Sequence, residues 1–343
     1  MRRMRRRRRR LVVVTIACLV AVAVANAAQN SGPGSRRPSG PLVPASGVLL
    51  GGYSNPVASD WWTKSEVLSR ERLLGRRYAI DAHVAAYRLA GRGPARGMTD
   101  ELRWDAPYGR IPMLSFDGPT RPFPGLRQIA GGAEDGAIRA WARALKKVGT
   151  PLFLRPWWEM NTDWFPWAGE RGSTPGTADG PASYVRAWRR MHDIFRREGA
   201  RNVVWVWSPN VTDASAQGTA YHWTAYYPGN SYVDWVGIDG YNWGGSYWKS
   251  FAKRFGGANG VYAGFARRKP IMIAEYGSAE TGGDKGAWYR NAAAVIPSRF
   301  RSIAALVAWD ASDPRANFRI DSSAGALAGY RALAHGRYFR RRR

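Results

Sequence analysis

The sequence predicts one (β/α)8 barrel, the TIM barrel of the α/β class, and three observations support this prediction. The chain of 343 residues is long enough to bury the core of one such barrel. Apolar or aromatic runs of strand length recur eight times, and helical patterns separate several of them. Strands that alternate with helices form a parallel sheet, because parallel neighbours need a crossover of about a dozen residues or more. Eight such units favour closure of the sheet.

The predicted strands begin near Gly47 and continue to the C-terminal part of the chain. They are Val48–Tyr53, Tyr78–Ala85, Ile111–Phe116, Leu152–Trp158, Val203–Trp207, Val233–Ile238, Ile271–Ala274 and Ile303–Trp309. The clearest helical patterns are Asp135–Val148, Ala182–Glu198, Trp248–Phe265 and Lys285–Phe300. A doubly wound open sheet is the alternative, but Gly51-Gly52-Tyr53 lacks the glycine spacing of a dinucleotide site.

The N-terminus has the organisation of a secretion signal. Eight arginines occur in the first ten residues, an apolar run covers Leu11–Val24, and Ala25-Asn26-Ala27 has the form of an A-x-A cleavage site. We therefore expect a secreted protein, with anchoring in the membrane by an uncleaved N-terminal segment as the alternative. The predicted organisation is a signal peptide (1–27), a disordered linker rich in Gly, Pro and Ser (28–46), the barrel domain (47–335) and a basic C-terminal tail (336–343).

The composition is basic. The formal net charge is +27, and subtracting the eight arginines of the signal leaves +19. Such a surface can bind nucleic acid, contact an anionic cell envelope, or only keep an arginine-rich protein soluble. We favour solubility and expect no nucleic acid partner, because no nucleic-acid-binding motif accompanies the arginines. Cys18, the one cysteine, lies inside the predicted signal, so we expect no disulfides in the mature protein. We also expect a monomer.

Two glutamates, Glu159 and Glu275, stand where apolar strands end. They follow the fourth and the seventh predicted strands, and in barrel enzymes the chemistry takes place at this end of the strands. A carboxylate at the end of a buried strand costs several kcal/mol unless it is paired or hydrogen-bonded. An internal ion pair with Arg155, which shares the strand parity of Glu159, would satisfy that need. Two such glutamates among tryptophans favour a catalytic pair, since hydrolysis of a glycosidic bond uses two carboxyl groups.

Their surroundings predict different roles. Glu159 follows Trp157 and Trp158, and an apolar setting raises the pKa of a carboxyl group and suits a proton donor. Glu275, which Arg155 could hold ionised, would serve as the nucleophile of a retaining reaction.

The 17 tryptophans exceed what a barrel core needs, and aromatic planes pack against the C–H faces of sugar rings. The candidates for a sugar platform follow strand ends. They are Trp164, Trp167, Tyr241, Trp243 and Trp309.

The four histidines lack the spacing of a metal site, so we expect neither a metal nor another cofactor. His83, at the end of the second predicted strand, either lines the cleft or is a structural histidine. No serine lies in a G-x-S-x-G motif, which argues against a serine hydrolase.

These motifs resemble glycoside hydrolase family 26, the β-mannanase family of the large retaining barrel clan. Arg155-Pro-Trp-Trp-Glu-Met-Asn161 is similar to the acid/base segment of the family, usually R-P-x-H-E-M-N, and Trp164-Phe-Pro-Trp-Ala-Gly169 is similar to its W-x-W-W-G loop. Asp234-Trp-Val-Gly-Ile-Asp-Gly-Tyr241 and Ile273-Ala-Glu-Tyr-Gly277 resemble its sixth-strand and nucleophile segments. The similarity covers roughly residues 47 to 334.

The resemblance implies a role for each matching residue. Glu159 would be the acid/base and Glu275 the nucleophile, while Tyr241, Trp164 and Trp309 would bind substrate. The same motif places Asn161 and Trp158 beside the acid/base, as binding residues, and Arg155 as their support.

The substrate implied by the resemblance is a β-linked polysaccharide, with endo-β-1,4-mannan first. Trp158 stands where the family usually has a histidine, in the part of the site that holds the sugar being cleaved. β-1,3-1,4-Glucan and β-1,3-xylan are therefore the alternatives. A non-catalytic carbohydrate-binding surface protein is the alternative outside enzymes.

Overall fold

The computed structural model describes residues 37–54, 63–84, 96–119, 122–168, 180–213 and 220–339. Eight parallel strands form a closed barrel in chain order, and β1 pairs with β8. This arrangement confirms the predicted (β/α)8 fold. The strands are β1 (Leu49–Tyr53), β2 (Ile80–Val84), β3 (Ile111–Phe116), β4 (Leu152–Pro156), β5 (Val203–Trp207), β6 (Trp235–Asn242), β7 (Ile271–Ser278) and β8 (Ile303–Trp309), followed by an antiparallel hairpin of β9 (Ser312–Asp313) and β10 (Ala316–Asn317).

Helices connect the strands, and local signals fix their ends. The first begins after Thr63, whose side chain accepts a hydrogen bond from the backbone N–H of Glu66, and it ends at Gly75 in the left-handed region at φ 70°. The helices of the described residues are α1 (Lys64–Leu74), α2 (Arg96–Trp104), α3 (Leu126–Gly131), α4 (Asp135–Val148), α5 (Gly180–Arg197), α6 (Phe251–Phe255), α7 (Val261–Phe265), α8 (Lys285–Arg299) and α9 (Ala324–His335).

Alternate side chains of each strand belong to two different cores. Phe153 of β4 packs inside the barrel with Met113 and Val206, whereas Leu154 belongs to the core between the strands and the helices. This alternation follows from the period of two along a strand. It places Arg155, two residues after Phe153, in the barrel interior.

Two strands of the site run beyond their predicted ends, whereas β4 stops at Pro156, two residues before its predicted end. β6 continues four residues beyond Ile238, and β7 continues four residues beyond Ala274. Their register shifts between Ile238 and Asp239, where polar side chains begin to replace the apolar core. The predicted helix over Trp248–Phe265 is wrong in its middle, because glycine-rich chain separates α6 from α7.

Part of the predicted linker, residues 37–46, lies against the amino-terminal end of the barrel. Arg37 donates hydrogen bonds to the carbonyl oxygens of Gly47 (2.7 Å) and Ile303 (2.7 Å) and to the Tyr338 hydroxyl (3.1 Å). Phe339, from the predicted basic tail, is buried. Arg37 and Phe339, at the two ends of the described residues, therefore both lie at the bottom of the barrel.

The predicted signal peptide (1–27), the first part of the linker and residues 340–343 lie outside the described residues. No helix within the described residues is long and apolar enough to cross a membrane. Secretion stays a prediction.

Candidate active site

Arg155 organises the polar floor of the barrel mouth. It lies fully buried on β4 and donates from Nε to Ser115 Oγ (3.0 Å) and from Nη1 to Asp239 Oδ1 (3.0 Å). Its remaining nitrogen, Nη2, donates to Glu275 Oε1. A buried guanidinium needs compensating anions, and two carboxylates on neighbouring strands provide them.

Glu275 lies on β7 and is held from two sides. Arg155 binds Oε1, and the hydroxyl of Tyr241 on β6 donates to Oε2. The extension of β6 and β7 beyond their apolar segments is what brings these side chains together. The result is a carboxylate in a fixed orientation with an arginine counter-charge.

Glu159 follows β4 on a strained segment of backbone. Its φ is 54° and that of Trp157 is 43°, and neither residue is a glycine. Such values cost about 1–3 kcal/mol each unless the surroundings impose them. The Glu159 N–H donates to the Ser208 carbonyl (2.7 Å), and the Thr162 hydroxyl donates to the Glu159 carbonyl (2.6 Å), which together hold the turn.

The Glu159 carboxyl accepts one hydrogen bond at each oxygen. Asn210 Nδ2 donates to Oε1 (2.7 Å), and Trp164 Nε1 donates to Oε2 (2.8 Å). Burial, and then the charge of Glu275, raise the pKa of Glu159 to about 7, although both hydrogen bonds oppose this shift. At neutral pH a large fraction of this carboxyl therefore carries a proton, while Glu275 is paired with a guanidinium.

Besides Tyr241, three of the predicted aromatic residues lie at this end of the barrel. Trp164 is 51% exposed while it binds Glu159. Trp309, at the end of β8, stacks on Tyr53 of β1 with the ring centroids 4.2 Å apart. Trp243 follows β6 and contacts the ring of Tyr241. Aromatic surfaces next to paired carboxyl groups provide what a sugar chain requires.

Comparisons with known proteins identify the family of this chain. Residues 133–261 match the family described as glycosyl hydrolase family 26. The chain is 41% identical over 300 residues to endoglucanase H of Acetivibrio thermocellus, an alignment that covers 82% of this chain. The barrel belongs to glycosyl hydrolase family 26. The chain spans 31% of the length of endoglucanase H.

Other relatives carry mannanase names. The mannan endo-1,4-beta-mannosidase A and B of Caldalkalibacillus mannanilyticus is 37% identical over 99 residues, which cover 29% of this chain and 18% of that protein. The solved structure of Bacillus subtilis mannanase superposes with a TM-score of 0.61 at 18% identity, over 94% of this chain and 90% of that one. At this identity the superposition supports the fold alone.

Three residues that were predicted to bind substrate are buried and make contacts within the protein. Trp158 is 7% exposed, and the Arg155 guanidinium lies over its ring. Trp167 is buried and donates from Nε1 to the Trp158 carbonyl (2.7 Å). Asn161 is buried and exchanges hydrogen bonds with the backbone of Asn210. These contacts support the residues around Glu159, and substrate binding by the three residues stays a prediction.

His83 does not lie beside the two glutamates. It has the parity of β2 that faces the helices, because Ala82 fills the barrel interior. There its Nε2 lies 3.1 Å from Asp105 Oδ2 and 3.6 Å from Asp81 Oδ2. The prediction that His83 lines the cleft therefore finds no support in its position.

The His83 cluster is the one group in the described chain with the spacing of metal ligands. The ligand atoms of Asp81, His83 and Asp105 lie within 4.8 Å of one another. The Arg110 guanidinium lies 3.7 Å from Asp105 and already supplies a positive charge. The arrangement fits a buried ion-pair network better than a metal centre.

Two residues of the site, Asn210 and Ser208, were not predicted from the sequence. Asn210 binds Glu159, and Ser208 binds both Asp239 and the backbone of Glu159. Both follow β5, so the rule that directed attention to other strand ends would have found them.

Proposed function

We propose that this barrel is a retaining glycoside hydrolase in which Glu159 is the acid/base and Glu275 is the nucleophile. The observation that carries the proposal is the difference between the two carboxyl environments. Glu159 is buried with a pKa raised to about 7, and Glu275 is bound by Arg155 and Tyr241. A proton donor and an ionised nucleophile in one aromatic-walled mouth are the two groups that double displacement uses.

The reaction proceeds in two displacements. Glu275 attacks the anomeric carbon while Glu159 transfers its proton to the departing glycosidic oxygen, which gives a covalent glycosyl-enzyme. Glu159, now ionised, then removes a proton from water as that water attacks the same carbon and releases Glu275. Arg155 and Tyr241 orient the nucleophile through both steps.

The proposed substrate is a β-linked polysaccharide cleaved within the chain, and we place β-glucan ahead of β-1,4-mannan. The alignment with endoglucanase H spans enough of the chain to include both glutamates, whereas an alignment of 99 residues cannot reach from Glu159 to Glu275. Trp158 also stands where the family usually has a histidine, and the loss of this polar side chain weakens the case for mannan. Mannan is the second candidate because the shorter relatives are named mannanases.

Hydrolysis of a polysaccharide panel tests the proposal. Release of reducing sugar is measured on mixed-linkage glucan, cellulose, mannan and β-1,3-xylan, with Glu159→Ala and Glu275→Ala as matched inactive variants. We expect the wild-type protein to hydrolyse mixed-linkage glucan fastest and each variant to lose about a thousandfold or more. Binding of these polymers without any hydrolysis would instead identify a non-catalytic carbohydrate-binding protein.

A further inference from the structure

The hairpin after β8 carries an arginine into the proposed active site. Arg315 lies between β9 and β10, and its guanidinium carbon lies 4.3 Å from the centroid of the Trp243 ring. Trp243 in turn contacts Tyr241, which binds Glu275. The ring of Trp243 therefore lies between Arg315 and Tyr241, the residue that binds the proposed nucleophile.

The hairpin is anchored, so this position is fixed. Phe318, directly after β10, is buried and packs against Tyr241 and Trp243 with ring centroids 4.8 and 5.0 Å apart. It approaches β7 closely at Gly277, where a Cβ would lie 3.0 Å from Phe318. The buried Lys285 also donates to the Asn317 carbonyl (3.0 Å).

Asp313 orients the guanidinium and balances its charge. It accepts hydrogen bonds from the Arg315 backbone N–H (2.8 Å), from Nε (3.0 Å) and from Nη2 (3.3 Å). The Asp313 hydrogen bond is the main cause of the raised pKa of Arg315, and the charge of Glu159 adds to it. The arginine side chain remains 73% exposed, and its Nη1 makes no hydrogen bond to the described residues.

We propose that Arg315, stacked on Trp243 and oriented by Asp313, is a specificity-determining residue that binds the hydroxyl groups of a neutral sugar next to the reacting centre. An arginine paired with a carboxylate offers donors and acceptors side by side, which match hydroxyl groups that both donate and accept. Because Asp313 already neutralises the guanidinium, a neutral sugar fits this subsite better than an acidic one. The inference rests on the proposed function and names one subsite of it.

Binding without turnover tests the subsite. In a Glu275→Ala background, calorimetry measures the Kd of the β-1,4-linked hexasaccharides of glucose and of mannose, with and without Arg315→Ala. We expect Arg315→Ala to weaken binding of the preferred hexasaccharide about tenfold. Arg315→Lys should weaken it to a similar degree, because lysine keeps the charge but loses the planar fork. An unchanged Kd in Arg315→Ala, or a wild-type Kd in Arg315→Lys, would overturn the inference.

The matched control is Arg189, an exposed arginine of α5 that lies 5.2 Å from the centroid of the Tyr232 ring. Tyr232 precedes the start of β6, so this pair lies away from the carboxyl ends of the strands, where the two glutamates are. Arg189→Ala should leave the Kd unchanged. The Kd should also vary less than about threefold between 50 and 500 mM salt, since a neutral ligand is little affected by screening. A Kd that depends steeply on salt would contradict the proposal that Arg315 binds a neutral sugar.

Turnover separates this inference from the proposed function. In the otherwise wild-type protein, Arg315→Ala should raise KM about tenfold and change kcat less than about threefold, because the contact is present before and during the reaction. A thermal denaturation midpoint close to wild type would show that the hairpin is intact. If the wild-type protein hydrolyses no β-glycan, the proposed function fails, and the calorimetry still reports on the subsite.

Discussion

Asn210 provides a direct test of how the barrel sets the proton affinity of Glu159. Its side-chain nitrogen donates a 2.7 Å hydrogen bond to Glu159 Oε1 in a buried setting, and this bond lowers a pKa that burial and Glu275 raise. Asn210→Ala removes that donor. The ionised form of Glu159 loses the stabilisation, so the carboxyl should keep its proton to higher pH.

The size of the effect follows from the bond that is lost. A hydrogen bond to a charged group contributes about 1.5–3 kcal/mol, and one pKa unit corresponds to about 1.4 kcal/mol. Water can replace part of the donor, so we expect an upward shift of about one unit. Trp164→Phe is the matched variant at the other oxygen. Because Trp164 is 51% exposed, its loss should shift the same pKa less.

The pH dependence of kcat/KM is the assay, since it reports on the essential groups of the free enzyme. The first displacement needs protonated Glu159, so wild-type kcat/KM should fall as pH rises through about 7. In Asn210→Ala this alkaline limb should lie about one unit higher. An unchanged limb, or one that moves to lower pH, would refute the assigned role of Asn210 and of Glu159 as the acid.

Two further predictions concern stability, one at His83 and one at Arg37. His83→Ala leaves a buried Asp105 without its 3.1 Å partner, so it should lower the free energy of unfolding by about 1–3 kcal/mol and leave KM unchanged, as measured by chemical denaturation and kinetics. A raised KM at unchanged stability would instead indicate that His83 lines the cleft. Arg37→Ala should cost about 2 kcal/mol and expose the N-terminal segment to proteolysis, because three carbonyls and the Tyr338 hydroxyl lose their shared donor. Wild-type protease resistance and stability would show that Arg37 does not hold residues 37–46 against the barrel.

Much of the barrel was predictable because its strands are apolar runs with a polar residue at the end. β3, β5 and β8 have the predicted limits, and the closed barrel follows from their number and spacing. The extensions of β6 and β7 were not predictable in this way, because polar residues such as Asp239 and Tyr241 interrupt the apolar pattern while the backbone continues to pair.

The direction of the His83 side chain on β2 was not predictable from the sequence. The sequence places His83 at a strand end, but it does not say which of the two faces the histidine occupies. The apolar Ala82 fills the barrel, so His83 faces the helices and finds Asp105 there. Asp81 precedes His83 by two residues on the same strand, but Asp105 comes from the segment after α2, and a contact between distant segments leaves no local pattern in the sequence.

The exposure of individual tryptophans was not predictable for a related reason. Trp164 and Trp167 lie three residues apart in one loop, yet the first is half exposed and the second is buried. The ring of Trp167 stacks on Phe165, and its N–H binds the Trp158 carbonyl. The composition predicted an aromatic mouth. Which rings are exposed depends on contacts within the loop after Glu159, and the sequence pattern does not give these contacts.

Trapping of the covalent intermediate tests the central claim most directly. A 2-deoxy-2-fluoro glycoside of the preferred sugar slows breakdown of the glycosyl-enzyme, and peptide mass spectrometry then locates the attached sugar. We predict a single label on Glu275, with none in Glu275→Ala. A label on another residue, or a first product of inverted anomeric configuration, would contradict a double displacement through Glu275 and Glu159.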